Sequence, residues 1–225
     1  MAIIVIEGID AAGKKTIAAR LAESIKRDNS QLSVEVFDFP HYNSMSGPYL
    51  RCLLTGEVEL RIDSEFDNPS GVDLALMKAA LLQSLMTMNR YEYSAMLVEA
   101  TNDRNTILIL DRYFASALAY GSEDGLPMRQ LIASHHSLPK PDLSILIDIS
   151  AEESMRRRPV REDKYESDLG FLDRVRQKYI ELFCETGHAE FGGEWQVVDG
   201  HNDLAQVQTD VWNKYVNWSS KDRRC

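Results

Sequence analysis

The chain has 225 residues, a length that one well-buried domain accommodates without requiring a second. With 35 acidic against 25 basic residues its formal net charge is −10, which argues against a nucleic acid polymer as the main partner, since that needs a basic surface. Cysteines stand only at 52, 184 and 225, an odd number without close spacing, which argues against a disulfide framework or a zinc cluster and fits a reducing cytoplasm.

Residues 3–6 form an apolar, all β-branched run that reads as a buried parallel strand, reached without any preceding signal peptide. It leads straight into Gly8-x-x-x-x-Gly13-Lys14, and an amphipathic helical pattern follows from Thr16 to about Ile25. A glycine-bounded loop between strand and helix lets backbone N–H groups curl around phosphate oxygens, and the helix N-terminus adds partial positive charge. Lys14 is then expected to reach the β- and γ-phosphates of a nucleoside triphosphate. The next residue is normally a Ser or Thr whose hydroxyl ligates Mg²⁺. Here it is Lys15, and Thr16 comes one place late. Either water and phosphate hold most of the metal, or the Lys15 ammonium takes over part of the charge neutralisation.

Further apolar runs at 34–37, 106–110, 143–149 and 196–198 alternate with helical patterns. The prediction is an α/β fold whose parallel sheet of five strands is covered on both faces. Residues 57–71 read as a loop. Residues 72–100 read as one helix of roughly 40 Å at about 1.5 Å per residue. Its apolar residues, including Leu74, Leu76, Met77, Leu81, Leu82, Leu85, Met86 and Met88, occupy more than one face. Such a helix is buried on more than one side, within the chain or in a homodimer interface. No apolar run approaches the roughly 20 residues of a membrane span.

The third strand ends in Asp111-Arg112-Tyr113, with Ser116 and Tyr120-Gly121 following. Ligands bind at the C-terminal ends of strands in open α/β sheets. Asp111 is expected near a metal, and Arg112 offers a planar fork for a phosphoryl group. The alternative is a surface ion pair capping the strand. His135 and His136 are expected at the surface of a helix end, without a role. After the fourth strand, Ser150-Ala151-Glu152-Glu153 opens a capped helix. It runs into arginines at 156, 157, 158 and 161, an anomaly in an acidic chain. This reads either as a solvated helix end or as a basic flap closing over polyphosphate, released where Pro159 ends the helix.

Together these residues resemble the thymidylate (dTMP) kinases of the P-loop nucleoside monophosphate kinase group. The resemblance rests on EGIDAAGK at 7–14, Phe39-Pro40, Asn89-Arg90-Tyr91-Glu92, DRYFASALAYG at 111–121, PDLSILID at 141–148 and Asp163-Lys164-Tyr165-Glu166. It implies a P-loop NTP hydrolase-type three-layer fold, one kinase domain over 1–225 with a LID flap at about 151–168. It also implies ATP as phosphoryl donor, dTMP as acceptor, Mg²⁺ as cofactor and a homodimer through the helix at about 72–100. By the same resemblance Gly8, Ala11, Ala12, Gly13, Lys14, Lys15 and Thr16 hold the ATP phosphates, and Arg157 stacks on the adenine. Asp10 receives the acceptor 3′-hydroxyl, Arg90 holds the pyrimidine edge, and Arg112 grips the transferring or acceptor phosphate. Phe39, Met86, Ser116 and Tyr120 line the acceptor pocket, and Tyr165 closes on the deoxyribose side. Lys14, Arg112 and Arg161 are the implied catalytic cations. Arg161 comes from the flap because Ala11 occupies the in-loop arginine position of many relatives.

Three departures stand out: Lys15; Met86 where an aromatic ring is common; and His41-Tyr42-Asn43-Ser44 where many relatives carry a phosphate-binding arginine. The guanine motif of GTPases is missing, since Asn213-Lys214 is followed by Tyr215-Val216. The rival readings are a kinase for dUMP or for a deoxynucleoside, with Glu7 as the carboxylate base, and a catalytically inactive nucleotide-binding regulator.

Overall fold

Every residue of the first strand, β1 (Ala2–Glu7), is buried, as expected of a strand with neighbours on both edges and layers on both faces. The computed structural model describes residues 2–60, 73–103, 105–158, 168–184 and 191–222. In it β1 lies at the centre of a five-stranded parallel sheet with β2 (Ser33–Asp38), β3 (Thr106–Asp111), β4 (Leu143–Asp148) and β5 (Glu194–Asp199), in the order β2-β3-β1-β4-β5. All five predicted strands are present within a residue or two of their sequence bounds.

The helices complete three layers: α1 (Lys14–Asp28), α2 (Gly47–Leu54), α3 (Leu74–Tyr91), α4 (Ser94–Ala100), α5 (Phe114–Glu123), α6 (Met128–Ser134), α7 (Ala151–Arg157), α8 (Leu169–Cys184) and α9 (Leu204–Asp222). The period of two along each strand divides the core. Ile4, Ile6, Ile107 and Ile109 join Ile17, Leu82 and Tyr179 in the larger cluster. Ile3, Val5, Leu108 and Leu110 join Phe39, Leu97 and Tyr113 in the smaller one. Among the described residues, no helix is long and apolar enough to cross a membrane.

The single long helix expected over 72–100 is instead two. α3 stops at Tyr91, and the chain turns through Glu92 and Tyr93 before α4. The two halves belong to different cores. Ala79 and Leu82 pack in the larger cluster, whereas Leu97 and Ala100 pack in the smaller. Tyr93 sits at the turn against Phe37, with ring centroids 4.6 Å apart. A straight helix could not serve both sides of the sheet. The apolar character on a second face of α3 does hold: Leu74, Leu76, Met77, Leu81 and Met88 are exposed. Of the loop expected over 57–71, residues 61–71 lie outside the described residues, as do Pro159, Arg161 and Tyr165 of the expected flap.

Glu7, the last residue of β1, is fully buried and joins three elements. Its Oε1 accepts the backbone N–H groups of Tyr113 at 2.8 Å and Ser116 at 3.3 Å, both at the start of α5. Its Oε2 accepts the Ser116 hydroxyl at 2.6 Å and the Tyr179 hydroxyl of α8 at 3.1 Å. Glu7→Leu would strand the two backbone N–H groups and at least one hydroxyl, since Ser116 and Tyr179 can pair with each other at 2.8 Å, so its stability to urea should fall by about 3 kcal/mol or more. Glu7→Gln, which keeps the shape and one acceptor, should lose less. An unchanged urea midpoint in Glu7→Leu would contradict the role of this joint.

Candidate active site

The loop after β1 has the shape its glycines and alanines permit. Gly8 has φ +143°, and a Cβ there would stand 2.6 Å from the Ile147 carbonyl oxygen of β4, so no larger residue fits. Ala11 and Gly13 also have positive φ, which curls the chain into α1. Lys14 opens α1 and is 7 % exposed, with its ammonium donating to the Ile9 carbonyl across the loop at 2.9 Å. Burial depresses the Lys14 pKa and the Arg112 charge adds to this, against the opposing pull of Asp111, Asp10 and Glu7. Lys15 and Thr16 point outward and are exposed.

β3 ends beside this loop, where Arg112 takes an unusual φ of +69°. Its Nη1 donates to the Gly8 carbonyl at 2.9 Å, while Nη2 donates to Asp10 Oδ1. Asp10 Oδ2 accepts the Tyr120 hydroxyl at 3.0 Å, and the guanidinium carbon lies 5.3 Å from the Tyr120 ring centroid. Burial alone would raise the Asp10 pKa, but the Arg112 and Lys14 charges and two hydrogen bonds outweigh it and hold the carboxyl below its usual value. Burial likewise opposes the Arg112 charge, and Asp10 more than restores it. The pair stays ionised.

Among the described residues Asp111 Oδ1 is buried without a hydrogen-bond partner, and its charge acts on Lys14. An orphaned carboxylate oxygen beside a phosphate loop fits Mg²⁺, which is usually held by one or two carboxylates with phosphates and water. Among the described residues no group of three or more His, Cys, Asp or Glu could hold a metal without such help.

A cavity of about 430 Å³ opens from this ion pair. Asp10, Phe39, Met86, Arg90, Arg112, Ser116 and Tyr120 all line it, so the structure brings together every described residue assigned above to the acceptor. Tyr165 lies outside the described residues. The Ser116 hydroxyl is engaged with Glu7, which makes Ser116 part of the wall more than a free donor. Glu7 itself is saturated by four donors and is not available as a base, which corrects the role weighed for it above.

Several lining or supporting residues were not legible beforehand. Arg51, on α2, lines the cavity and supplies a cation where the stretch after Phe39-Pro40 has none. Arg158, just after α7, and Gln83 of α3 also line it. Asn89 is fully buried and clamps the loop after Pro40: its Oδ1 accepts from His41 N–H at 2.7 Å. Its Nδ2 donates to the His41 carbonyl at 3.0 Å and to the hydroxyls of Ser44 and Ser46 at 2.7 and 3.0 Å. Glu92 Oε1 completes the clamp by accepting Ser46 N–H at 3.0 Å. Motif spacing could have suggested Asn89, but nothing in the sequence marks Arg51.

Arg90 is 4 % exposed, and burial lowers its pKa to about 10. Its Nη1 donates to the Met86 carbonyl at 3.1 Å and lies 3.5 Å from His135 Nε2. His135 is therefore buried, contrary to the surface position expected of it, with its ring edge-on to Phe114. Its Nδ1 lies 2.8 Å from the Leu131 carbonyl, an acceptor only, so Nδ1 carries the proton and Nε2 faces Arg90 as acceptor. Arg157 reaches from α7 to the loop after β5, donating to Glu153 Oε1 at 2.7 Å and to the Gly200 carbonyl at 2.6 Å. Arg161 lies outside the described residues.

A phosphate loop with a buried lysine, beside a strand-end Asp-Arg pair and an arginine-lined cavity, belongs to the class of P-loop phosphotransferases. The family model described as thymidylate kinase matches residues 6–211, and the chain belongs to that family. A probable thymidylate kinase of Thermococcus gammatolerans is 32% identical over 211 residues, covering 92% of each chain. The thymidylate kinase of Caenorhabditis elegans is 26% identical over 222 residues, covering 96% of this chain and 90% of its own. The fold matches that of the thymidylate kinase from Candida albicans with a TM-score of 0.72 at 23% identity, covering 96% of this chain and 91% of that one.

Burial, with the Arg90 charge second, pulls the His135 pKa from 6.5 to about 4. Between those values the unfolded chain binds a proton that the native ring refuses, so stability present above pH 6.5 is lost as pH falls toward 4. The loss should reach about 3 kcal/mol. Urea midpoints at pH 7, 5.5 and 4.5 should show it in the wild type and show less of it in His135→Gln. Equal pH slopes in the two proteins would refute a buried neutral ring.

Proposed function

We propose that this chain phosphorylates dTMP with ATP, giving dTDP and ADP by direct in-line transfer. The observation that carries the reading is the cavity lined by the Asp10–Arg112 pair, next to the phosphate loop, with room for an acceptor. An oxygen of the acceptor phosphate attacks the γ-phosphorus as the bond to the β-phosphate oxygen breaks. No general base is needed, because the attacking phosphate is already an anion. This favours a monophosphate over a deoxynucleoside acceptor, as does the engagement of Glu7 by four donors.

In this reading Gly8, Ala11, Ala12 and Gly13 wrap the donor phosphates at the start of α1. Lys14 exchanges its Ile9 carbonyl for phosphate oxygens. Asp111 and the phosphates would hold Mg²⁺, which when bound neutralises charge between the donor phosphates. Lys15, at the loop's outer face, adds positive charge to the donor side. Arg112 and Arg51 receive the acceptor phosphate, and Asp10 receives the sugar hydroxyl. Met86 packs on the base face with a polarisable thioether, while Arg90 donates to a base carbonyl. Arg157, beside the loop after β5, faces the donor base.

The whole chain, 1–225, acts as one kinase domain with a LID at about 151–168. Arg158, the last described residue before residue 159, lines the cavity. That supports Arg161 as the cation that arrives with substrate and Tyr165 as a closing residue. The free thiols of Cys52 and Cys184 suit the cytoplasm.

In a coupled ADP-release assay Lys14→Ala should lose roughly three orders of magnitude in turnover while keeping its fold. Arg161→Ala should lower kcat about a hundredfold with little change in the KM for dTMP, since charge needed in the transition state acts on turnover. Near-normal rates in Lys14→Ala would remove the basis for the donor site.

The exposed apolar face of α3 supports a twofold homodimer. Light scattering at micromolar concentration should give twice the 25.6 kDa chain mass, and a double Met77→Glu, Leu81→Glu variant should give the monomer. A wild-type mass near 25.6 kDa would contradict the dimer.

A further inference from the structure

Gln83 sits on α3 facing the acceptor cavity and is 6 % exposed. Unlike Ser116, Tyr120 and Arg112 around it, its carboxamide makes no hydrogen bond among the described residues. Buried carboxamides are nearly always paired, because leaving one unsatisfied costs on the order of 1–3 kcal/mol. The carboxamide of Gln83 is not among the fully enclosed unpaired polar atoms, so it opens to the cavity, where an entering group can pair it.

Its surroundings are shaped for that. α5 brings the small Ala117 to the same cavity wall, and a Cβ added to Gly121 behind it would stand 2.7 Å from Leu131 and 3.4 Å from the Gln83 carboxamide carbon, so the inner side of Gln83 is closely packed. Along α3, Gln83, Met86 and Arg90 follow at steps of three and four and line the same cavity. Their outer members are about 10 Å apart along the helix at 1.5 Å per residue, with the Met86 thioether between them.

Resting on the dTMP reading above, we propose that Gln83 reads the imide edge of the pyrimidine, its Oε1 accepting the N3–H and its Nε2 donating to a ring carbonyl. Arg90 completes the recognition. It is held by Met86 and His135 and can only donate, so it suits a carbonyl and opposes an exocyclic amine. The carboxamide can turn over, but the guanidinium cannot become an acceptor. The pair selects thymine and uracil over cytosine, with Gln83 supplying orientation and affinity.

The test is steady-state turnover at saturating ATP with dTMP, dUMP, dCMP and N3-methyl-dTMP, for the wild type, Gln83→Met and Gln83→Ala. Met keeps the length without the polar atoms, and Ala opens space at N3. Both variants should raise the KM for dTMP about tenfold, leaving kcat, the KM for ATP and the melting temperature near wild type. In Gln83→Ala the preference for dTMP over N3-methyl-dTMP in kcat/KM should fall by at least about thirtyfold. A role in packing alone would lower stability and all acceptors together, and that outcome overturns the assignment. So does an unchanged KM for dTMP in both variants, which would mean that the carboxamide meets only water. If the wild type releases no ADP with dTMP, the acceptor reading falls and this assignment with it. If the wild type is active and the variants match it, only the assignment falls.

Discussion

The buried carboxylate of Glu7 is the constraint on which the rest of the site depends. It terminates the central strand at the point where the polypeptide must leave the sheet, start α5 and meet α8. Its four donors come from α5 and α8. Arg112 hangs from the same knot, since its Nη1 also lies 3.3 Å from the Ser116 hydroxyl and 3.4 Å from that of Tyr179. The guanidinium is thus positioned by groups that are themselves immobilised by Glu7. Preorganised charge of this kind needs no rearrangement at the moment of reaction.

Around that anchor, the chain concentrates cations that its net charge of −10 would not suggest. Lys14, Arg51, Arg90, Arg112 and Arg158 face the loop or the cavity, and Asp10 is the built-in counterion. Burial acts against each buried charge, and what offsets it differs. Carboxylates moderate the loss at Lys14, and the Asp10 partner overcomes it at Arg112. Arg90 has no such partner in contact and shows the net cost as a lowered pKa. A dianionic phosphate entering such a site meets cations at Lys14 and Arg90 that are already desolvated, beside the exposed Arg51 and Arg158.

What could be read from the sequence was local. The strands, the phosphate loop and the Asp-Arg strand end each depend on residues within a few positions of one another. Asp10 of that loop and Arg112 of that strand end meet on one cavity. What could not be read was decided by distant partners. The break at Glu92 and Tyr93 follows from two cores on opposite sides of one sheet, invisible in a run that is apolar throughout. His135 looks polar and terminal, yet its ring is turned inward by Phe114 and an arginine 45 residues away. Arg51 and Gln83 depend on the rotational phase of their helices about their own axes. Glu7 suits the base of the deoxynucleoside alternative on sequence position alone, because the partners that occupy it lie 106 to 172 residues away.

The Asn89 clamp carries a mechanical consequence. The loop from His41 to Ser46, which follows two residues of the cavity wall, is fastened to α3 by one buried carboxamide and by Glu92. α3 also bears the exposed apolar stripe on its other side. Whatever immobilises that stripe from outside stiffens the cavity wall through the helix body. The disorder so removed is disorder that an entering nucleotide no longer has to quench, and association at one surface becomes affinity at the other.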